Sequence, residues 1–255
     1  MWESVERIRG PQDTTVELTI WRGVSTINPD SDQEPEILTI EVTRGSISYP
    51  SVLGEVWDID GHMVGHITIS SVGDHTEDLF RQTVLDLRAQ NIETVVLDLR
   101  GNGGGFLDAA VEIVSYFLPK DEVVVKGDYR VYQDDVFLSY GYDGLQDLPV
   151  VVMIDGYTAS AGEIIALALR DQLDAPLIGS QSFGKGTIQT LTQFADGSSL
   201  KYTVGEWLPP SGQSINGTGI VPDVEVEFDA DQFATDATDN QIEYVKTYVK
   251  NLLKE

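Results

Sequence analysis

The sequence predicts an α/β protein, and three observations lead to that fold class. From residue 63 onward, apolar stretches of strand length alternate with stretches of helix length, which is typical of crossover connections in an α/β layer. Segments 94–99 and 149–154 are almost wholly apolar, as expected for strands that are covered on both faces. The 255 residues are 41% hydrophobic and 23% charged, a globular composition that can bury a core.

Residues 1–49 are expected to contain strands and no helix. Segments 15–21 and 36–42 alternate apolar and polar side chains, the period of a half-buried strand. Residues 28–32 are polar and favour a loop. Two strands make a poor independent core, so we expect this segment to be part of a domain that ends near residues 49–51.

The remaining elements follow from apolar periodicity, capping residues and turn residues. They are a strand at 63–69, a helix at 74–89 capped by Asp74 or Thr76, a strand at 94–99, a helix at 107–117, a strand at 149–154, a helix at 161–173, a strand at 176–179, strands within 187–207 around a turn at 196–197, and an amphipathic helix at 239–254.

Charge and composition exclude several classes of function. The chain has 16 basic and 42 acidic residues, a net charge of −26, and such a surface repels nucleic acid and anionic membranes. Cysteine is absent, which excludes disulfides, thiol nucleophiles and cysteine-based metal sites. The first residues lack a basic and an apolar region, so no signal peptide is expected in this chain. No apolar run approaches the ~18–20 residues that span a bilayer.

Two turns follow buried strands, where sites form in α/β sheets. The first, at 99–105, is rich in glycine, so its backbone N–H groups can point at an anion. Its spacing fits neither a Walker loop nor a dinucleotide fingerprint, which leaves an oxyanion hole or a plain tight turn. The second turn, at 156–163, leaves a buried strand and opens a helix.

Ser160 and Lys185 are the candidate reactive residues. Ser160 lies near a helix N-terminus, which favours a developing negative charge, although a serine there can also be only a helix cap. Lys185 stands between Gly184 and Gly186, just past an apolar strand. Desolvation lowers the pKa of a lysine in general, and such an amine can act as a base toward a hydroxyl.

Four ordered motifs, at residues 95–105, 158–164, 183–189 and 210–223, resemble those of the C-terminal processing peptidases, the tail-specific serine proteases of family S41. The resemblance extends from residue 4 to about residue 228. It implies a serine endopeptidase with an α/β (α+β) core, in which helices flank a mixed β-sheet. The implied substrates are peptide bonds near the C-terminal tails of unfolded or exported proteins.

The resemblance also implies roles for individual residues. Ser160 matches the nucleophile of the family, Lys185 its general base, and Gln189 the residue that orients the lysine. The backbone N–H groups of Gly101 and Ala161 match the oxyanion hole. No cofactor and no metal are implied.

Other positions are less direct matches. Asp171 either supports activity, as an acidic residue does in some members, or is an ordinary carboxylate on a helix face. Gly103 replaces a proline that is usual in the glycine-rich turn, and a looser turn would weaken the preorganisation of the oxyanion hole. The implied domains are a partial PDZ-like segment at 1–49, the peptidase core at 50–228 and a helical extension at 229–255.

The expected partners are proteins or peptides with exposed C-termini, and not nucleic acid. Homo-oligomerisation is left open. The resemblance implies that the full-length parent works outside the cytoplasm, in the periplasm, at the cell envelope or after secretion. A catalytically silent module of the same fold, which binds or scaffolds, is the alternative from another class.

Histidine and calcium chemistry are weaker alternatives. His62, His66 and His75 lie in no motif, so solvated or capping roles are expected for them, and no spacing suggests a third metal ligand. The acidic pairs at 134–135 and 229–231 lack the array of ligands that a calcium loop requires.

Overall fold

The computed structural model describes residues 2–22, 36–45, 49–130 and 132–254. The chain divides into two compact units, residues 1–49 and residues 50–255. The loop expected at 28–32 lies outside the described residues.

The first unit contains a short helix and one strand pair. Helix α1 spans Trp2–Ile8, and strands β1 (Thr15–Arg22) and β2 (Glu36–Thr43) pair antiparallel. The guanidinium of Arg44 joins them, since Nε donates to the Ile8 carbonyl at 2.8 Å and Nη1 to the Thr15 carbonyl at 3.0 Å. The expectation of no helix was wrong, because seven residues are too few to show a helical period.

The second unit contains the remaining elements. They are β3 (Val52–Ile59), β4 (His62–Ile69), α2 (Thr76–Arg88), β5 (Thr94–Asp98), α3 (Leu107–Val114), β6 (Val123–Tyr129), β7 (Asp135–Leu138), β8 (Val150–Ile154), α4 (Ala161–Leu173), β9 (Leu177–Gly179), β10 (Thr187–Gln193), β11 (Ser199–Leu208), β12 (Val224–Glu225), α5 (Ala230–Asp236) and α6 (Asn240–Leu252). Helix α2 has His75 at its N-cap position, so the caps expected at Asp74 or Thr76 were one residue off.

A six-stranded mixed sheet forms the centre of this unit. Its strand order is β12-β9-β8-β5-β4-β3. Strand β3 runs antiparallel to β4, and the other neighbouring pairs are parallel. Because β5 and β8 are parallel neighbours, the turns that follow them meet at one edge of the sheet. The mixed α/β fold predicted from the sequence is confirmed.

Apolar side chains bury both faces of this sheet. Val95 and Leu97 of β5 belong to the larger core, which also contains residues of α2, α3 and α4. Val96 belongs to a second core, to which α6 contributes Val245 and Val249. The C-terminal helix is therefore part of the folded unit, and its removal would expose one face of the sheet to water.

A four-stranded antiparallel sheet, ordered β10-β11-β6-β7, completes the unit. Strand β10 is an edge strand, and it begins two residues after Lys185. Within the described residues, no helix is long and apolar enough to cross a membrane.

Candidate active site

Ser160 occupies an uncommon backbone conformation. It follows β8 and immediately precedes α4, with φ 54° and ψ −116°. A residue with a side chain rarely adopts positive φ, and such strain is concentrated at functional sites. Ser160 is thus the N-cap residue of α4, next to the first N–H groups of the helix. Those N–H groups have no acceptor within the helix.

The glycine-rich turn after β5 lies directly against Ser160. The Ala159 N–H donates to the carbonyl of Asn102 at 2.8 Å, and the Asn102 amide donates to the Ile69 carbonyl at 2.8 Å. Gly104 has φ 94°, and a Cβ atom there would lie 2.7 Å from Ser160 Cβ. A residue with a side chain at position 104 would therefore push the turn away from Ser160.

Glu163, on the first turn of α4, joins the Ser160 turn to the lysine loop. Its side chain is fully buried. Oε2 accepts from the N–H groups of Ser160 at 2.8 Å and Lys185 at 2.9 Å. Oε1 accepts from the Ser182 hydroxyl at 2.6 Å and the Gly184 N–H at 2.7 Å. Four donors satisfy one buried carboxylate, as a charge away from water requires.

The loop that carries Lys185 is also held by the late segment of the chain. The Trp207 indole donates to the Lys185 carbonyl at 2.8 Å, and the Gly217 N–H donates to the Gly184 carbonyl at 2.8 Å. Gly184 has φ 84°, and a Cβ there would lie 2.5 Å from the Gly219 nitrogen. The glycine before the lysine is thus required both by its conformation and by close backbone packing.

A cavity of about 420 Å³ brings most of the candidate residues together. Ser160, Ala161, Lys185 and Gln189 all line it. No hydrogen bond between the side chains of Ser160, Lys185 and Gln189 is present among the described residues. Such contacts are often long in a free enzyme and tighten when substrate binds. The apolar part of the wall is formed by Phe106, Leu107, Ile164, Ile188 and Trp207.

Two predicted residues lie elsewhere. The Gly101 N–H donates to Asp155 Oδ1 at 3.0 Å, so it is already engaged, which does not fit a role in an oxyanion hole. Asp171 lines a different cavity, where its carboxylate accepts from the Ser211 N–H at 3.0 Å. There it tethers the segment after β11 to α4.

A buried ionic network anchors the start of the glycine-rich turn. Arg100 Nη2 donates to Asp98 at 2.6 Å, and Nη1 donates to Asp239, the N-cap residue of α6, at 2.9 Å. Burial would raise the pKa of Asp98, but His66, whose Nε2 lies 3.7 Å from the carboxylate, and the hydrogen bonds and charge of Arg100 outweigh it, so that pKa is lowered. Burial would lower the pKa of Arg100, but hydrogen bonds to Asp98 and Asp239 and their negative charges raise it.

The histidines form no catalytic group with Ser160. His66 is buried, stacks on Trp57 with ring centroids 4.2 Å apart, and contacts Glu55 at 3.0 Å. His62 contacts Glu93 at 2.9 Å. Within the described ranges, no group of three or more His, Asp or Glu side chains is placed to hold a metal ion.

Sequence reasoning assigned no role to Glu163 or Asn102. The spacing Ser160-x-x-Glu163 is a signal for the former, because a Glu three residues after an N-cap serine is the pattern of a capping box. Asn102 gave no comparable signal, since its partner carbonyl belongs to Ile69, 33 residues earlier.

The comparison with known families decides the assignment. The sequence profile described as peptidase family S41 matches residues 63–226, more than half of the chain. The chain belongs to peptidase family S41. Its match includes the strands, turns and helix that carry Ser160, Lys185 and Gln189.

Curated S41 relatives and solved structures are similar over most of this chain. A probable CtpA-like serine protease of Staphylococcus haemolyticus is 36% identical and covers 87% of this chain. A carboxyl-terminal-processing protease of a Picosynechococcus strain is 33% identical and covers 95%. The structure of a photosystem II D1 C-terminal processing protease superposes with a TM-score of 0.69 at 26% identity, covering 88% of this chain and 58% of its own. The chain spans about half the length of the two curated relatives, 42% and 56%.

Proposed function

We propose that this chain contains the catalytic unit of a serine endopeptidase that uses a Ser-Lys dyad. One observation carries the proposal: Ser160, held at positive φ at the start of α4, lines the same cavity as Lys185 and Gln189. The buried carboxylate of Glu163 supports it, since it accepts from the backbone N–H groups of both Ser160 and Lys185. Two reactive side chains thus share one rigid support.

The reaction follows from the chemistry of these groups. The amine of Lys185 takes the proton of the Ser160 hydroxyl as Oγ attacks the peptide carbonyl. The resulting ammonium gives that proton to the departing amine, and an acyl-enzyme remains on Ser160. A water molecule, deprotonated by the same amine, then attacks the acyl carbonyl. The ammonium returns that proton to Ser160 Oγ as the ester bond breaks and the carboxylic acid leaves.

The oxyanion needs donors close to Ser160. The Ala161 N–H is the first of α4 and has no partner within the helix. From the glycine-rich turn we place Gly105 beside it, in place of Gly101. Gly105 lines the cavity, and no described residue accepts from its N–H, whereas the Gly104 N–H donates to Asn102 Oδ1 at 2.8 Å.

The substrates we propose are peptide bonds near the C-terminal tails of unfolded or exported proteins. The names of the relatives in Picosynechococcus and of the D1 processing protease support this substrate class. We further propose that the full-length parent acts outside the cytoplasm. Residues 1–49 are a partial PDZ-like segment, 50–228 the peptidase core and 229–255 a helical extension of it.

A silent binding module is the alternative, and the intact Ser160 and Lys185 do not favour it. Hydrolysis of an unfolded reporter polypeptide distinguishes the two functions, since only the peptidase cleaves it. We expect Ser160→Ala and Lys185→Ala each to reduce kcat/KM by at least about 10⁴-fold, with the melting temperature nearly unchanged because neither side chain belongs to the core. His75→Ala is the matched control. Activity retained in Lys185→Ala but lost in His75→Ala would refute the dyad.

A further inference from the structure

The charge of the cavity differs from that of the whole protein. Lys185 and Lys201 line it, and no aspartate or glutamate of the described ranges does, although the chain carries 42 acidic residues. The described lining of this cavity therefore carries basic side chains and no carboxylate, as does that of a second cavity lined by Arg170. Lys201 adds a second amine to this cavity besides that of Lys185, which the proposed mechanism uses as the base.

Strand register fixes the position of Lys201. In the β10–β11 pair, Gln189 lies opposite Thr203 and Leu191 lies opposite Lys201. Side chains two residues apart on a strand share a face. Lys201 therefore lies on the face of the sheet that carries Gln189. Its partner Leu191 is two residues beyond Gln189 on β10, so Lys201 lies further along the sheet from Lys185 than Gln189 does.

The amine of Lys201 is free. No described residue accepts a hydrogen bond from it or forms an ion pair with it, whereas Lys246 pairs with Glu243 at 3.0 Å and Lys250 with Asp60 at 2.8 Å. An ammonium in the same cavity as a reactive serine, where no described carboxylate lines the wall, is complementary to an anionic group on the substrate.

We propose that Lys201 binds a carboxylate of the substrate peptide a short distance from the cleaved bond. This inference rests on the proposed peptidase function and adds a determinant of specificity to it. The edge strand β10 can pair with an extended peptide, whose alternate side chains and terminus then lie along the face that carries Lys201. The carboxylate is either the α-carboxylate of the chain end or that of an aspartate or glutamate side chain.

The test compares three peptides of one sequence with an apolar residue at the C-terminus. The first ends in a free acid, the second in an amide, and the third is the amide with aspartate as its last residue. We expect the wild type to cleave the first or the third with a kcat/KM about tenfold above that of the second. The net charge of −26 repels anions, so it cannot produce this preference.

Variants assign the preference to one residue. Lys201→Met should reduce the ratio of acid to amide to about one, and Lys201→Arg should keep most of it. Lys120→Met, an exposed lysine that does not line the cavity, is the control and should leave the ratio unchanged. Preference for the first peptide assigns the α-carboxylate, and preference for the third assigns a side chain.

Two results would overturn the inference while the peptidase stands. One is equal cleavage of all three peptides by the wild type. The other is a Lys201→Met protein that keeps the ratio but shifts its pH profile, which would make Lys201 an electrostatic neighbour of Lys185. If no peptide is cleaved, the proposed function fails, and binding of the same fluorescent peptides to Ser160→Ala protein still tests Lys201 through the ratio of dissociation constants.

Discussion

Glu163 is the residue on which the positions of Ser160 and Lys185 both depend. Each of its oxygens accepts two hydrogen bonds, and the side chain is fully buried. A glutamine in its place has one acceptor oxygen and one NH₂ group, which would face N–H or O–H donors. Two donors would then lose their acceptor.

We expect Glu163→Gln to lower the free energy of unfolding by about 2–4 kcal/mol, because a buried hydrogen bond to a charged group is worth about 1.5–3 kcal/mol. The kcat should fall about 100-fold or more, since a displacement of ~1 Å at a reactive group costs that much, while KM changes little. Urea unfolding and steady-state kinetics measure both effects. Glu122→Gln, an exposed residue with no side-chain hydrogen bond, is the control; equal kinetics in the two variants would contradict the positioning role.

Gln189 provides a test of which group acts as the base. We expect kcat/KM to rise from neutral toward alkaline pH, because Lys185 must lose its proton before it can accept one from Ser160. In Gln189→Glu, a carboxylate beside the amine would favour the ammonium form, so the ascending limb should move to higher pH. A pH–rate profile of each variant gives the result.

Gln193→Glu introduces the same change on the same strand, outside the cavity, and should leave the profile in place. A wild-type limb near pH ~6.5, the range of histidine, would argue against lysine as the base. An unshifted ascending limb in Gln189→Glu would show that residue 189 does not act on the Lys185 amine.

At the scale of elements, α6 is joined to the active-site turn through one residue. Asp239 caps α6, accepting from the Gln241 N–H at 3.0 Å, and also pairs with Arg100 at 2.9 Å. Asp229 caps α5 in the same way, accepting from the Gln232 N–H at 2.8 Å, and none of the described cations pairs with it. The two caps differ in the ion pair, and also in that α6 packs on a core whereas no residue of α5 is buried.

We expect Asp229→Ala to cost about 1 kcal/mol, the usual value of an N-cap. Asp239→Ala should cost about 2.5–4 kcal/mol, because it removes a cap and also a hydrogen bond to the charged Arg100, worth about 1.5–3 kcal/mol, while Asp98 still pairs with Arg100. Urea unfolding of both variants measures the difference. Equal costs would show that Arg100 is satisfied by Asp98 alone, and that α6 depends on its apolar face.

The same elements show how far the sequence could predict the structure. Strands β4, β5 and β8 and helix α4 were predicted because their apolar residues follow one clear period. Helix α5 was not predicted, because none of its residues is buried and it therefore has no apolar face. Strands β3 and β6 were not predicted because polar residues and a glycine interrupt the apolar pattern of each. Strand β7 was not predicted because it is only four residues long.

The reactive residues of the candidate site were predicted from their motifs and the resemblance that these carry. Ser160, Lys185 and Gln189 line one cavity, and their roles stay predictions. Three of the four donors to Glu163 lie 19 to 22 residues away in sequence, and the acceptor of the Gly101 N–H is Asp155, 54 residues away. The pairings of Glu163 with the lysine loop arise when β8 and β9 become neighbours, and that of Gly101 when β5 and β8 do. Only the bond from Ser160 to Glu163 could be read from spacing.

At the scale of the whole molecule, like charge is the dominant electrostatic feature. With a net charge of −26, most surface carboxylates repel one another, and self-repulsion destabilises a compact state. The ion pairs within the described residues act in the opposite direction, but exposed pairs contribute only about 0–1 kcal/mol each. Salt screens both the repulsion and the attraction, because the Debye length falls from about 30 Å at 0.01 M to about 3 Å at 1 M.

We therefore expect the protein to become more stable as salt is added. Repulsion acts over longer distances than the ion pairs, whose atoms are in contact, so screening should relieve more repulsion than attraction. A gain of about 1 kcal/mol would raise the melting temperature by about 2–4 °C in a protein of this size. Thermal unfolding at about 0.02 M and about 0.5 M NaCl measures the change.

A double variant assigns that gain to surface charge. Glu225, at the end of the edge strand β12, and Glu227, two residues later, are both exposed, so their like charges lie near each other and repel. Changing both to glutamine takes the net charge from −26 to −24. We expect this protein to melt at a higher temperature than the wild type in low salt and to gain less from added NaCl. Sucrose, which is uncharged, should stabilise both proteins equally. If salt lowered the melting temperature of the wild type, the buried pairs around Arg100 would outweigh the repulsion, and the acidic surface would carry no cost to folding.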